Sequence, residues 1–483
     1  MVLVALSIMP LASYASPDFD ALELCELSTA GGQLTVEARC GTLTVTEDPN
    51  ANEADAPVVD LAYAILPARS GKSLPDPIFF LAGGPGQSAR ETAPMMQAAL
   101  RDLHANRDLV FLDQRGTGGS NKLDCEVEAS QENWINPDPS QALDILTECA
   151  KNWNADLRFY TTTVAAHDLD KLRAHLGYET VNLIGGSYGT RLGQVYLKHF
   201  SERVRTAILD GIVPMRLALG SEHGPSLDQA LENIITACQT SDVCAEAFPN
   251  LMEAFNELKA EYDRWDEGPR ITITHPRLGE ALDITFSRTV LATALRFLAY
   301  DPSTQMLLPY LIHEAATTKR PNRIATQAII VGQEIDDAIA IGLNFSVGCA
   351  EDWPIWPKDQ DVSSTLLGDS IGDLYQAICP RLPSEPVGGD FNVPYGGDTP
   401  LLLLSGEFDP VTPKSYGEEV LAVSTNAVHL VAKGRGHIVI TLPCMGSIAT
   451  QFVIAGGSDD LDTSCMDALG PEPFFTDLLG PLP

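Results

Sequence analysis

Short apolar runs that stop at glycine clusters recur along the chain, and they constrain the fold more than any other feature. Each run has the length of a buried strand, and segments with helical spacing separate the runs, as in the strand–helix–strand units of a parallel sheet. The runs are "IFFLAGGPG", "LVFLDQRGTG", "VNLIGGSYG", "AILDG" and "LLLLSGEFD". The sequence therefore predicts an α/β fold with a mostly parallel central sheet, preceded by antiparallel strands between Gly32 and Ala68.

The strand pattern stops in the middle of the chain. Between about Val213 and Tyr395 the apolar residues follow helical spacing, and only "ITITHPRLGEALDITF" has the pattern of a hairpin. The strand pattern then resumes. We therefore expect an α/β domain in two parts, residues 17–213 and 396–483, with residues 214–395 inserted as a mainly helical cap.

The charge balance excludes some classes of partner. The chain has 31 basic and 65 acidic residues, which gives a net charge of −34. Such a surface repels phosphate backbones and anionic lipid, so we expect neither nucleic acid nor membrane as a partner.

The N-terminus and the cysteines indicate export. Residues 1–16 have an apolar run followed by small residues, which is typical of a secretory signal peptide, although no basic residue follows Met1. Ten cysteines fall in neighbouring pairs, so we predict five local disulfides. Metal binding is the competing interpretation, but it is disfavoured because the chain has no CxxC pair and no histidines clustered near the cysteines. The predicted bonds are Cys25–Cys40, Cys125–Cys149, Cys238–Cys244, Cys349–Cys379 and Cys444–Cys465.

Ser187 lies where a strand gives way to a helix. In "GGSYG" it fills the central position of the pattern G-x-S-x-G, which presents a serine hydroxyl above a sheet. Alone, the motif also fits a turn with no catalytic role.

Two further strand ends carry an acid and a base. Asp409 follows the "LLLLSG" strand, and His437 lies in a glycine-flanked loop after the next strand. Each residue taken singly has a structural explanation, but together they give the chain order Ser, Asp, His of a catalytic triad. The serine needs an imidazole to take its proton, and the carboxylate orients that imidazole.

The stretch "LAGGPGQS" supplies the remaining part of an acyl-transfer site. Glycines let backbone N–H groups approach a developing oxyanion, although turn formation alone could also explain them. We expect Gly84 and Tyr188 to be the two donors, because Pro85 has no N–H group.

The chain resembles the proline iminopeptidase and tripeptidyl aminopeptidase group of serine exopeptidases, within the α/β-hydrolases. The resemblance rests on "GGPGQS", "DQRGTGGS", "GGSYGTRLGQVYL", "SGEFDPVTP" and "GRGH", and the cysteines and signal are more similar to the secreted tripeptidyl aminopeptidases. It implies an α/β-hydrolase fold, the triad Ser187, Asp409 and His437, an oxyanion hole of Gly84 and Tyr188, and a supporting loop at Arg115. The chain differs from many iminopeptidases at Ala82, where those proteins have a histidine before the glycines.

The resulting prediction is a secreted or periplasmic serine aminopeptidase that acts on peptides with a free N-terminus and needs no cofactor or metal. A carboxylesterase on the same fold is the alternative, because the acyl chemistry is shared. A haloalkane dehalogenase or epoxide hydrolase is disfavoured since the elbow holds no carboxylate, and a catalytically inactive binding protein is disfavoured since the triad is complete.

The predicted aminopeptidase must also bind a cationic α-amino group. In "CAEDWP", Glu351 and Asp352 follow a predicted disulfide and stand beside tryptophans, so we expect them to bind this group in a pocket under the cap. The alternative is that both are ordinary surface acids.

Overall fold

A computed structural model describes residues 19–51, 55–125, 139–262 and 268–481 of the chain. The predicted signal peptide, residues 1–16, lies outside the described residues.

The central element is a nine-stranded sheet in the order β1-β2-β3-β5-β4-β6-β7-β10-β11. The first three strands pair antiparallel, and the six strands from β5 to β11 along this order are parallel to one another. Strands β8 and β9 form a separate hairpin, and β12 and β13 form another. The strands are β1 Glu23–Ser28, β2 Thr35–Thr46, β3 Val58–Leu66, β4 Ile78–Leu81, β5 Leu109–Leu112, β6 Val181–Gly186, β7 Val204–Asp210, β8 Arg270–Thr274, β9 Ala281–Thr285, β10 Leu401–Gly406, β11 Ala427–Ala432, β12 Phe475–Asp477 and β13 Gly480–Pro481.

Helices cover both faces of the sheet and form most of the segment between β7 and β10. They are α1 Ala89–Ala99, α2 Pro139–Asn152, α3 Thr162–His175, α4 Tyr188–Phe200, α5 His223–Thr240, α6 Asp242–Ala247, α7 Leu251–Tyr262, α8 Arg288–Leu298, α9 Pro302–Gln305, α10 Leu308–Thr318, α11 Asn322–Ala338, α12 Ile341–Val347, α13 Ser370–Ile378, α14 Lys414–Val423 and α15 Pro443–Ala455. These elements confirm the predicted α/β fold with a mostly parallel sheet.

The apolar runs become strands because the sheet buries both of their faces. All residues of β4, β5, β6 and β10 are buried. Alternation along β4 sends Phe79 to one apolar layer, shared with α3 and α4, and Phe80 to the other, shared with α1 and α15. Each fully buried side chain of this size contributes about 1.5–3 kcal/mol, so polar substitution here would break the sheet.

The segment between β7 and β10, called the inserted segment below, has an apolar core of its own. Helices α5, α7, α8, α10 and α11 share this core with the β8–β9 hairpin. Phe408, which directly precedes Asp409, is 5% exposed and belongs to the same cluster. The segment therefore packs directly on the loop that carries Asp409. Its delimitation as a cap over residues 214–395 stays a prediction.

Candidate active site

Ser187 occupies a strained turn between β6 and α4. Its backbone angles are φ 55° and ψ −124°, a region that residues with a side chain rarely adopt. The turn passes very close to β4, since a Cβ added to Gly189 would lie 2.1 Å from the carbonyl oxygen of Leu81. Ser187 itself is partly exposed. The turn thus has the geometry of a nucleophile elbow.

Asp409 and His437 are brought together from the loops after β10 and β11. Asp409 Oδ2 lies 2.8 Å from His437 Nδ1, and the side chain of Asp409 is 0% exposed. Asp409 Oδ1 accepts the backbone N–H groups of Val411 and Thr412, at 2.9 and 2.8 Å. These bonds fix the carboxylate so that it can hold the imidazole in one tautomer.

Two contacts orient the imidazole further. The Thr412 hydroxyl donates to Asp409 Oδ2 at 2.7 Å and lies 3.1 Å from His437 Nδ1. The backbone N–H of His437 donates to the carbonyl of Tyr300 at 2.7 Å, and the two rings meet edge to face with their centroids 5.0 Å apart. Since Tyr300 follows α8, the inserted segment contributes directly to the position of His437. Thr412 is a residue that sequence reasoning missed, although "DPVTP" places it three positions after Asp409.

The loop after β4 lies beside the serine. A Cβ added to Gly83 would lie 3.2 Å from Ser187 Cβ, and Gly84 has φ +105°, which favours glycine. The Gln87 side chain accepts the N–H of Gly83 at 3.2 Å, so a glutamine supplies side-chain support although Ala82 cannot. The inserted segment also contacts this loop, because Asn344 Nδ2 donates to the backbone carbonyl of Pro85 at 3.0 Å.

Tyr188 is anchored by a buried hydrogen-bond network. Its side chain is 1% exposed, and its hydroxyl lies 2.7 Å from Thr162 Oγ1 and accepts Gln114 Nε2 at 3.3 Å. Thr162 in turn donates its N–H and its hydroxyl to the carboxylate of Glu351, at 2.6 and 2.8 Å. Burial raises the pKa of the Tyr188 hydroxyl, which therefore stays protonated.

Glu351 and Asp352 lie in a π-helical turn, and both are closed off from solvent, with exposures of 1% and 0%. Asp352 Oδ1 accepts Arg191 Nη1 and the N–H of Leu219, each at 2.8 Å, and the same Nη1 lies 3.7 Å from Glu351 Oε2. Burial raises the pKa of Glu351 to about 7 and also raises the pKa of Asp352. Burial beside Arg191 does not favour access for a substrate amino group, and the binding of that group by these two residues stays a prediction.

Arg115 is wholly buried and has a structural role. It donates to both carboxylate oxygens of Asp168, at 2.7 and 3.1 Å, and to the carbonyl of Glu47 at 2.7 Å. The neighbouring Gln114, and not Arg115, reaches Tyr188. Support from this loop thus comes from the residue beside the one that the resemblance indicated.

All five predicted cysteine pairs lie at disulfide distance. Their Cα–Cα distances run from 5.1 to 6.0 Å, and each pair closes a local loop with a sequence separation of 6 to 30 residues. Within the described ranges no cluster of three metal-ligating side chains occurs. Among the helices of the described residues, none is long and apolar enough to cross a membrane.

Known proteins share sequence similarity with this chain over most of its length. A family model described as "alpha/beta hydrolase fold" matches residues 76–237, and one described as "TAP-like protein" matches residues 364–465. Serine protease Hip1 of Mycobacterium tuberculosis H37Rv is 23% identical, with 91% of this chain and 90% of the relative covered. Tripeptidyl aminopeptidase of Streptomyces coelicolor is 24% identical, with 81% and 76% covered.

Among solved structures, the proline iminopeptidase of Mycobacterium smegmatis is 15% identical, with 86% of this chain and 98% of that chain covered and a TM-score of 0.36. A likeness at this level carries no argument about activity. The two family models and the named relatives show that the chain is a serine hydrolase of the peptidase type with an α/β-hydrolase fold, and they support a place in the TAP-like family.

Proposed function

We propose that the protein is a secreted or periplasmic serine aminopeptidase that releases tripeptides or other short N-terminal units from peptides with a free N-terminus. The observation that carries the proposal is the 2.8 Å contact between Asp409 and His437 at the same sheet edge as the strained turn of Ser187. The names of the Streptomyces relatives support the aminopeptidase class. The five cysteine pairs support an oxidising compartment.

In the first half of the proposed reaction, Ser187 Oγ attacks the carbonyl carbon of the scissile peptide bond. His437 takes the serine proton, and Asp409 stabilises the resulting imidazolium. The backbone N–H groups of Gly84 and Tyr188 donate to the oxyanion of the tetrahedral intermediate. When the C–N bond breaks, His437 returns its proton to the leaving amine, and an acyl-enzyme on Ser187 remains.

In the second half, water takes the place of the amine. His437 removes a proton from the water as it attacks the acyl carbon, and the same two N–H groups hold the second oxyanion. Collapse of this intermediate breaks the ester bond, and His437 returns the proton to Ser187. The cycle consumes one water for each peptide bond and needs no cofactor.

The test compares three substrates of the same acyl group: a tripeptidyl arylamide with a free N-terminus, its N-acetylated form, and a p-nitrophenyl ester. We expect efficient turnover of the free arylamide, a loss of about 100-fold or more in kcat/KM on acetylation, and no turnover by Ser187→Ala. Equal rates with free and acetylated peptide would contradict an aminopeptidase. Turnover of the ester alone would favour a carboxylesterase.

A further inference from the structure

Asp210 connects the two loops on which the proposed reaction depends. It is the last residue of β7, the strand beside β6, and its backbone carbonyl accepts the N–H of Ser187 at 2.8 Å. Its side chain is 1% exposed, and Oδ2 accepts the N–H groups of Val439 and Ile440 at 2.8 and 2.7 Å. One residue thus contacts both the turn of the nucleophile and the loop that follows His437.

The loop after His437 needs such an anchor. Ile438 has φ 66°, a conformation that is costly for a β-branched residue and persists only where its surroundings enforce it. On one side His437 donates its N–H to Tyr300, and on the other side Val439 and Ile440 donate theirs to Asp210. Without Asp210, two buried N–H groups would lose their acceptor.

The charge of Asp210 is unusual as well as its position. Among the described residues, its second oxygen, Oδ1, is buried without a hydrogen-bond partner. His437 and Asp409 are the charged groups that face it. Burial raises the pKa of Asp210 to about 7, although the two backbone bonds and His437 act in the opposite direction. This carboxyl group therefore changes charge in the same range of pH as a histidine does.

We propose that Asp210 is a positioning residue for His437, which fixes the loop of the base against the turn of Ser187 and adds a second negative charge beside the imidazolium. Asp409 orients the imidazole from the side of Nδ1, whereas Asp210 acts through the backbone that follows the ring. The inference rests on the proposed Ser187 and His437 chemistry.

The sign of the pH effect follows from the charge. A carboxylate near an imidazole favours the imidazolium form, which cannot accept the serine proton. In Asp210→Asn an acceptor oxygen remains and the charge is gone. The rate falls at low pH, and this falling part of the pH–rate profile is its acid limb. We expect the acid limb of the variant to move to lower pH, by about half a unit to one unit, and its rate on the plateau above the limb to fall about 10-fold.

The experiment measures the rate constant of inactivation by a fluorophosphonate between about pH 5 and pH 9. This probe reports the reactivity of Ser187 with His437 whether the natural substrate is a peptide or an ester. The full-length protein is compared with Asp210→Asn, with Asp210→Ala and with Asp108→Asn. Asp108 is a matched control, because it is also fully buried and accepts the N–H of Ala68 at 2.8 Å, but it directly precedes β5, at the opposite end of the parallel strands.

The expected result is a slower reaction and a shifted acid limb for Asp210→Asn, a still slower reaction for Asp210→Ala, and neither effect for Asp108→Asn. An acid limb that stays in place in Asp210→Asn would overturn the proposal, whether or not the rate falls, because loss of packing alone would slow the reaction without moving the limb. If Asp210→Ala fails to fold, Asp210→Asn still decides. Failure of the wild type to react at Ser187 would instead contradict the proposed function.

Discussion

Arg191 is the buried cation whose removal should destabilise the protein most clearly. Its side chain is 1% exposed, and Nη1 lies 2.8 Å from Asp352 and 3.7 Å from Glu351. Nη2 donates to the carbonyl of Leu217 at 2.5 Å. Arg191→Met keeps an apolar stem of similar length and removes the charge. Two carboxyl groups would then remain buried without a cation, and breaking a buried pair in this way costs about 3–5 kcal/mol of unfolding free energy.

The loss should depend on pH in a definite direction. Burial already places the pKa of Glu351 and of Asp352 above their usual values, and Arg191 lowers both. Its removal raises them further, so the folded variant holds protons that the unfolded chain releases. Stability that comes from a raised pKa is present at low pH and is lost as the pH rises through the folded-state value. The variant should therefore be more strongly destabilised at pH 8 than at pH 5.5, by about 1–2 kcal/mol.

Urea unfolding with intact disulfides, at about pH 5.5 and about pH 8, measures both effects. The control is Arg158→Met, because Arg158 also pairs with two carboxylates, Asp156 and Glu385, but at the surface. We expect no measurable change for that variant, since exposed ion pairs contribute little. A loss of less than about 1 kcal/mol for Arg191→Met, equal at the two pH values, would refute the interpretation of this cluster as a buried structural network.

Three further predictions follow from the same geometry. Acidification should reduce kcat/KM because His437 becomes imidazolium and cannot accept the serine proton; a profile that is flat down to about pH 4 would exclude a histidine base. Gly84→Ala should lower kcat by about 100-fold, since φ +105° disfavours a side chain and the added Cβ would lie 2.6 Å from the nitrogen of Gly86; activity within about twofold of wild type would contradict the assigned oxyanion loop. Replacing both Cys349 and Cys379 by serine should lower the unfolding free energy by about 2–4 kcal/mol. Peptide mapping without reduction should find the five local disulfides, and a bridge from Cys25 to Cys465 would disprove this pairing.

The parts of the site that could be predicted from the sequence are those set by local patterns. A glycine-flanked serine after a buried run has few conformations open to it, and the carboxyl ends of parallel strands lie at one edge of a sheet. The positions of Ser187, Asp409 and His437 therefore followed from strand assignment alone. The cysteines paired predictably because each has one near neighbour in the chain.

Long-range partners could not be predicted. Glu351 and Asp352 stand beside tryptophans in a segment predicted to form a pocket, but their buried cationic partner, Arg191, is 161 residues away from Asp352 in the chain. No local pattern singles out Asp210, because its two backbone partners are 229 and 230 residues further along the chain. Such contacts are fixed by how the inserted segment and the last loops pack on the sheet, which no local pattern encodes.

The central claim is that Ser187 is the nucleophile of this hydrolase. It is tested most directly by labelling the folded protein with a fluorophosphonate, digesting it, and locating the modified residue by mass spectrometry. The account predicts one label per chain, on the peptide that contains Ser187, and no label on Ser187→Ala with an unchanged circular dichroism spectrum. A label on another serine, or labelling that persists in Ser187→Ala, would contradict it.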